Sequence, residues 1–443
     1  MYSEVENLHI NKNRGVYMFS KVILQEGVNL YIRSLEQFKT INFSVKWKTE
    51  LDSEKAANRA VLANVLQDSN GKYRTQSELR NTLDELYGTV LFTDATKRAN
   101  THIMSLYAEC VNDEYLTGDT VLDEVLDLLH AVIFNPNFVD GKFDESVVNR
   151  EKRSVKERIR SVYDDKTRFA QKRMLELLRP DSPVSTSSYG TEEEVEAVTA
   201  DGLLEAYNSM LQNDEINIYI VGDIDEKKMT EKIKKLFPFE PRTVRKNDEE
   251  AAAPGATQQK SEVRNVKEKQ DMKQGKLHLG FSTPIVFTHP DYLKMQVTNG
   301  VFGGFAHSKL FMNVREKESM AYYASSSYSA HYGLVYVMAG IDAELEEKAV
   351  KLINEQLDAL QRGEITDLEI EQTKALLTNS VKSTFDSARG QIEVFDQYKE
   401  LNDDFTADFL ISGWEAVTKD DIQKMASEIT LEIVYLLSGK EAA

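Results

Sequence analysis

The sequence predicts an α+β fold of two homologous halves, each a mostly antiparallel sheet with helices packed on one face. Segment 241–261 is polar, contains Pro and Gly, and lacks apolar periodicity, as an exposed linker does. A strand followed by helices occurs on both sides of this linker, and each side ends in an apolar strand. We therefore divide the chain into residues 1–240, the linker 241–261 and residues 262–443.

The composition is that of a globular protein and excludes several functional classes. Hydrophobic residues make up 41% of the 443 residues and charged residues 29%, which is unlike a disordered chain. The net charge of −19 repels nucleic acid and anionic membrane surfaces, so neither is expected as a main partner. Because the chain has one cysteine, no secretory leader and no membrane-spanning apolar run, we expect a cytoplasmic protein.

The elements of the two halves follow the same order. In the first half, residues 100–109 alternate as a strand, and helical spacing begins after Thr117. In the second half, the strand is expected at 333–340 and the first helix at 343–360. Each half then has a further amphipathic helix and a closing strand, at 143–162 and 216–223 in the first half and at 365–385 and 431–439 in the second. The patterns align when Ala108 is matched with Ala339, which indicates a duplicated domain.

The residues taken alone reveal no catalytic constellation. No two of the seven histidines stand three to five residues apart, so no helix can present a His pair to a metal. Cys110 has no basic neighbour in the sequence and fits a small buried side chain. The pair Gly303-Gly304 lacks the third glycine of a dinucleotide-binding loop, and a tight turn is the simpler interpretation.

The most specific motif of the chain lies in the second half. Segment Leu310–Lys317 reads Leu-Phe-Met-Asn-Val-Arg-Glu-Lys, and Ala321-Tyr322 follows it. This run resembles the Leu-Phe-x-x-Leu-Arg-Glu-Lys and Ala-Tyr motif of the insulinase/pitrilysin family of zinc metallopeptidases. Nearly the whole chain is similar to the half-size bacterial branch of that family, which is related to the mitochondrial processing peptidase. The resemblance implies two halves that form a clamshell around a chamber.

The resemblance also locates the family's zinc motif in the first half. Segments 72–75 and 86–88 are similar to those that follow the motif His-x-x-Glu-His in active members. Counting back from Thr75 places the motif on residues 61–65. Its two ligand positions then carry Val61 and Val65, and its general-base position carries Asn64. Valine has no lone pair for zinc, and an amide cannot take a proton from zinc-bound water.

The third zinc ligand of the family is a Glu on a later helix. Segment 149–157 is similar to that helix, with Glu151 and Val155 in matching places, but the ligand position falls on Asn149. Four positions of the zinc site have therefore changed chemistry. We expect no metal and no cofactor on this chain, and zinc only on a partner chain.

The family's second-half residues are retained. The resemblance implies that Arg315 and Tyr322 face the zinc site across the chamber and hold a peptide near its scissile bond. An Arg offers a planar fork of donors to a carbonyl, and a phenol can donate to a developing oxyanion. The simpler alternatives are that Arg315 pairs with Glu316 or Glu318 and that Tyr322 packs within the sheet.

Two further segments correspond to substrate-handling parts of relatives. Gly303 and Gly304 stand where a non-catalytic subunit of the processing peptidase carries a longer Gly-rich loop that handles substrate. Residues 87–92 correspond to the edge strand on which active members align a peptide by strand addition. Without zinc beside it, that strand could also be an ordinary sheet edge.

Two functions are compatible with these features. The first is a zinc-free subunit of a two-chain metallopeptidase, inactive alone, that closes the chamber on short or unfolded peptides and contributes Arg315 and Tyr322 to a zinc-bearing homologous partner. The second is an inactive homologue that forms a homodimer and serves as a peptide-binding or scaffold protein. An active peptidase with other metal ligands is disfavoured by the missing His spacing.

Overall fold

The computed structural model describes residues 19–180, 182–243, 262–402 and 405–439. These residues form two large sheets, one in each half of the chain, with helices around them. Most of the predicted linker, residues 244–261, lies outside the described residues. No helix within the described ranges combines the length and hydropathy needed to cross a membrane.

The first half contains eight strands and eight α-helices within the described residues. Its strands are β1 (Ser20–Gln25), β2 (Val28–Ser34), β3 (Thr40–Glu50), β4 (Val90–Arg98), β5 (Thr101–Val111), β6 (Phe138–Val139), β7 (Lys142–Phe143) and β8 (Glu215–Gly222). Its helices are α1 (Ser53–Asp68), α2 (Gln76–Glu85), α3 (Leu122–Phe134), α4 (Glu145–Asp164), α5 (Lys166–Leu178), α6 (Glu192–Ala197), α7 (Ala200–Asn213) and α8 (Glu226–Leu236).

The second half contains five strands and six α-helices within the described residues. Its strands are β9 (Arg264–Gln270), β10 (Gly275–Ser282), β11 (Tyr323–Ser329), β12 (Leu334–Ile341) and β13 (Thr430–Gly439). Its α-helices are α9 (Tyr292–Asn299), α10 (Glu346–Gln361), α11 (Asp367–Phe385), α12 (Ala388–Tyr398), α13 (Ala407–Glu415) and α14 (Lys419–Ser427). Two π-helical segments, Gly300–Gly304 and Leu310–Lys317, follow α9.

The two sheets share one topology, which confirms the predicted duplication. The first sheet has the order β1-β2-β8-β3-β5-β4, and the second has the order β9-β13-β10-β12-β11 when it is read from its parallel edge. In each sheet one pair is parallel, β2 with β8 and β9 with β13, and the remaining pairs are antiparallel. Apart from β1, each strand of the first sheet therefore has a counterpart in the second.

Local sequence explains where the helices begin. Thr75 caps α2 and Thr366 caps α11 through reciprocal capping boxes with Glu78 and Glu369. Asp144 accepts the N–H groups of Ser146 and Val147 at the start of α4. Because these caps are short-range, the helix starts can be read from the sequence.

The arrangement of the layers differs from the prediction in one respect. Each sheet carries helices of its own half on one face, but a helix of the other half covers its opposite face. Helix α5 packs on β10 and β13 of the second sheet, and α12 packs on β3 and β8 of the first. The two halves are therefore interlocked, which amphipathic patterns could not reveal because they do not identify the partner of an apolar face.

The contact of α12 with the first sheet is ionic at its centre. The carboxylate of Asp396 is fully buried and is surrounded by four cations, at distances of 2.7 Å for Lys48, 3.1 Å for Lys46, 3.1 Å for Arg98 and 3.5 Å for Lys399. The hydroxyl of Tyr219 also donates to this carboxylate, at 2.5 Å. Burial opposes the charge of Asp396, but the cations, Lys48 first, hold its pKa well below the usual range.

Candidate functional site

The positions to which the resemblance assigns the zinc motif, residues 61–65, are part of the core. Helix α1 lies between the first sheet and helices α4 and α7, and most of its residues are buried. Val61 and Val65 pack in the same hydrophobic cluster as the inward-facing side chains of β3 and β5. Two aliphatic side chains thus stand where the resemblance assigns the metal ligands, and they stabilise the fold by burial.

A polar network lies next to these valines. Asn64 is buried and hydrogen-bonds the side chain of Glu151 on α4. Nη2 of Arg150 lies 2.5 Å from Oδ1 of Asp68, and its Nε lies 3.2 Å from Oε1 of Glu151. Burial, with the nearby charge of Asp68, raises the pKa of Glu151, although Arg150 and Asn64 partly oppose this shift. The network joins α1 to α4 through ion pairs and a hydrogen bond.

The residues at this place do not fit a zinc ion. Val61 and Val65 offer no donor atoms, and the guanidinium of Arg150 already neutralises Asp68 and would repel a cation. Asn149, which the resemblance matched to the third ligand, is exposed on α4, whereas Glu151 is the buried acid beside Asn64. No group of three His, Cys, Asp or Glu side chains in the described parts of the chain is arranged to hold a metal.

Arg315 lies in the second π-helical segment of the other half. Its guanidinium stacks over the ring of Phe311, 4.5 Å from the ring centre, and its Nε is 3.5 Å from Oε1 of Glu316. The side chain is 40% exposed. The pairing with Glu316, one of the simpler alternatives, is therefore present at the long end of ion-pair distances, and the side chain stays partly exposed.

Tyr322 immediately precedes β11. Its N–H donates to the carbonyl of Gly340 at 2.9 Å, which fixes the backbone, while the residue as a whole is 64% exposed. The ring does not pack within the sheet, which was the simpler alternative for this residue. An exposed phenol on a fixed backbone is available to a ligand.

The glycine pair divides into two environments. Gly303 is buried, and a Cβ there would lie 2.5 Å from Cδ1 of Leu310 and 2.6 Å from Oγ of Ser326. Gly304 is exposed, and its nearest atoms would be 3.3 Å away. We therefore assign Gly303 to the packing of the π-helical segment against β11, and only Gly304 could meet a peptide.

The predicted edge strand begins three residues later than expected. Strand β4 begins at Val90, and residues 87–89 form the preceding turn. Tyr87 has a positive φ of 57°, and its hydroxyl donates to Asp119. Because a left-handed residue cannot continue a strand, Tyr87 and Gly88 belong to the turn. The position of β4 at the end of the sheet agrees with the prediction.

The structure keeps the two sets of candidate residues apart. Residues 61–65 contribute to the first core, and Arg315 and Tyr322 lie on the surface of the second half. No hydrogen bond or ion pair among the described residues joins the two sets. Sequence reasoning also missed the Asp396 cluster and the Arg150–Asp68 pair, because their partners lie far apart along the chain.

Comparison with known proteins supports one assignment. The "Peptidase M16 inactive domain" family matches residues 197–377. The "Probable inactive metalloprotease YmfF" of Bacillus subtilis (strain 168) is 37% identical over 418 residues, which cover 94% of this chain and 97% of the relative. A crystal structure from Enterococcus faecalis V583 has a TM-score of 0.88 and 33% identity, covering 96% of this chain and 99% of that one.

A more distant structure shares only the fold. The ferredoxin protease FusC, solved as a mutant in complex with Arabidopsis ferredoxin, has a TM-score of 0.68 and 13% identity. The match covers 94% of this chain but 44% of that protease. Because the identity to YmfF extends over nearly the full length of both chains, the protein belongs to peptidase family M16, the insulinase/pitrilysin metallopeptidases, as an inactive member.

Proposed function

We propose that this chain is the zinc-free subunit of a two-chain metallopeptidase, in which a homologous chain supplies the zinc site. This chain would close the chamber from the opposite side and contribute Arg315 and Tyr322 to the binding of the peptide. The observation that carries the proposal is an asymmetry. The zinc positions Val61 and Val65 are built into the core, whereas Arg315 and Tyr322 remain exposed on the second half.

The surroundings of Arg315 support a binding role. The ring of Phe311 holds the guanidinium from one side, which reduces the rotamer entropy that a ligand contact would otherwise cost. The partly exposed fork can then donate two parallel hydrogen bonds to a peptide carbonyl or carboxylate. Tyr322 adds a single donor from a backbone that Gly340 holds in place.

The size of the chain supports a requirement for a second chain. The match to FusC spans nearly all of this chain but less than half of that protease. A chain of this size could therefore correspond to one side of a chamber that the longer protease builds from a single polypeptide. The interlocked halves also support a second chain. Helices α5 and α12 hold the two halves of this chain together, so we expect the chamber to close by movement of a partner chain against this one.

The chemistry of the site suggests short or unfolded peptides as substrates. A closed chamber admits an extended chain and excludes folded domains. The net charge of −19 favours basic peptides over acidic ones through long-range attraction. Cys110 is the single cysteine of the chain, so no disulfide framework stabilises the fold, and we place the complex in the reducing cytoplasm.

Co-expression with a His-x-x-Glu-His homologue from the same genome tests the proposal. The purified pair should hydrolyse a fluorogenic peptide that neither chain cleaves alone. Arg315→Ala and Tyr322→Phe in this chain should each lower kcat/KM of the assembled pair by about 10- to 100-fold, as expected for donors aimed at a developing charge. Arg315→Lys should recover only part of the loss, because an ammonium lacks the planar fork.

The matched control is Arg362→Ala. Arg362 is also exposed and also pairs with a neighbouring glutamate, at 2.7 Å, but it lies in the turn after α10. Its replacement should leave kcat/KM unchanged. If Arg315→Ala and Tyr322→Phe behave like this control, the role in trans is wrong. A stable homodimer with no affinity for the zinc-bearing chain would instead favour the scaffold function.

A further inference from the structure

The outer strand of the first sheet has a defined set of outward-facing N–H groups. Strand β4 pairs only with β5 in this sheet, so its other side is an edge. The N–H of Asn112 donates to the carbonyl of Lys39 at 3.0 Å, so even-numbered residues of β5 bond to β3 and odd-numbered ones bond to β4. By the register of the β4–β5 pair, the outward-facing N–H groups are those of Leu91, Thr93, Ala95 and Lys97.

The two central N–H groups already have acceptors. Oε1 of Gln67, near the end of α1, accepts the N–H of Thr93 at 2.9 Å. Oδ1 of Asp94 accepts the N–H of Ala95, also at 2.9 Å. A peptide that extended the sheet would need to offer its own carbonyl oxygens at these two places.

Both acceptors are held by further contacts. The hydroxyl of Thr93 donates to the carbonyl of Ala63, one turn before Gln67, which ties β4 to this part of α1. Oδ1 of Asp94 lies 3.2 Å from Nη1 of Arg158 and 3.4 Å from the hydroxyl of Tyr189. The hydrogen bonds that Gln67 and Asp94 accept from β4 are therefore supported by neighbouring contacts and are not isolated on the surface.

The second half shows that the fold does not require this arrangement. Ser326 of β11 corresponds to Thr93, and its hydroxyl donates to Asn299 of α9 as that of Thr93 donates to Ala63. Gln67 stands four residues after Ala63 in the first half. The residue four positions after Asn299 in the second half is Gly303. A Cβ at Gly303 would lie 2.7 Å from N of Ser326, so no side chain is available there to cap that N–H.

We propose that Gln67 and Asp94 close the β4 edge to extended peptides by occupying the N–H groups that strand addition would use. The first half of this chain then takes no peptide along β4, although the corresponding strand aligns substrate in active relatives. This inference concerns the isolated chain and does not depend on the proposed partnership.

Amide hydrogen exchange measured by NMR on the full chain tests the closure directly. In the native chain, the N–H groups of Thr93 and Ala95 should exchange slowly even though they face outward. Gln67→Ala should speed exchange at Thr93 by about tenfold or more and leave exchange at Ala95 unchanged. Asp94→Ala should speed exchange at Ala95 and leave exchange at Thr93 unchanged. Gln372→Ala, an exposed glutamine on α11, is the matched control and should alter neither. Rapid exchange at Thr93 in the native chain would overturn the proposal.

Peptide binding measured by fluorescence anisotropy provides the functional readout. The probe is a fluorescein-labelled octapeptide of alternating Thr and Val, and the reference probe is the same peptide N-methylated at alternate residues. The Gln67→Ala/Asp94→Ala double variant should bind the first probe at least about tenfold more tightly than the native chain does, and should not bind the methylated one. The double variant could show the expected faster exchange at Thr93 and Ala95 and still bind the first probe no more tightly than the native chain. That result would contradict the proposal.

Discussion

Glu151 is a buried acid whose protonation affects the stability of the fold. The carboxyl group is buried between α1 and α4, where it meets Asn64 and Arg150. Burial, helped by Asp68, raises its pKa above the ordinary value of 4.5. The folded protein therefore binds this proton more tightly than the unfolded chain does. The resulting stabilisation is complete below pH 4.5 and is lost as the pH rises through the raised pKa.

We expect Glu151→Gln to become more stable relative to the native protein as the pH rises from about 4.5 to about 8. The amide keeps the shape and the contact with Asn64 but never acquires the buried charge. Urea unfolding of both proteins across this range measures the difference in the free energy of unfolding. Glu157→Gln, an exposed change on the same helix, is the control. A difference that does not vary with pH would show that Glu151 is not the titrating group.

At the scale of the element, the π-helical segment Gly300–Gly304 is shaped by its contact with β11. The absence of a side chain at Gly303 lets this segment approach Ser326 and Leu310 closely. Gly304, the next residue, is exposed, and a methyl group there would meet Asn299 at 3.3 Å, a much milder contact than those at Gly303. Replacing each of these adjacent glycines by alanine therefore distinguishes two contributions to stability, the close packing at Gly303 and the backbone freedom that both glycines share.

Gly303→Ala should destabilise the protein by about 1–3 kcal/mol, because the new methyl group overpacks the contact with β11. Gly304→Ala should change stability by less than about 1 kcal/mol, since the gain in helix propensity meets little steric conflict. Thermal unfolding followed by circular dichroism compares the two variants. Equal melting temperatures would mean that close packing does not explain the glycine at position 303.

At the scale of the whole molecule, the two halves are interlocked through α5 and α12. Asp396 on α12 is fully buried among four cations at the contact with the first sheet, and Glu393 of the same helix pairs with one of them, Lys46, at 2.8 Å. At the contact of α5 with the second sheet, Arg179, which follows α5, forms a bidentate salt bridge with Glu432 of β13, at 2.7 and 2.9 Å. Each half therefore depends on the other for a buried or half-buried charge partner.

Asp396→Asn should lower the free energy of unfolding by about 3–5 kcal/mol, because the buried cations around it would lose their counter-charge. Guanidinium chloride unfolding measures the loss, and tryptophan fluorescence and circular dichroism should report a single transition. Asp386→Asn, an exposed change between α11 and α12, should have an effect within about 0.5 kcal/mol. A loss below about 1 kcal/mol at Asp396 would show that the ionic contact does not hold the halves together.

Much of the fold could be predicted because its determinants are local. The strand expected at 333–340 is β12, and the helix expected at 365–385 is α11, within two residues at each end. Alternation and helical spacing depend on neighbouring residues, and so do the caps at Thr75 and Thr366. The family motif at Leu310–Lys317 likewise identified the candidate site residues from a single continuous segment.

The remaining features depend on contacts between distant residues. The exchange of α5 and α12 between the halves, the cluster around Asp396 and the caps on β4 join residues that no local pattern connects. The sequence by itself determined the duplication, most of the secondary structure and the absence of a His pair at helical spacing, since each depends on residue type and short spacing. Only the tertiary structure decided that the valines joined the core and that Arg315 and Tyr322 stayed exposed, because burial is a property of the packed chain.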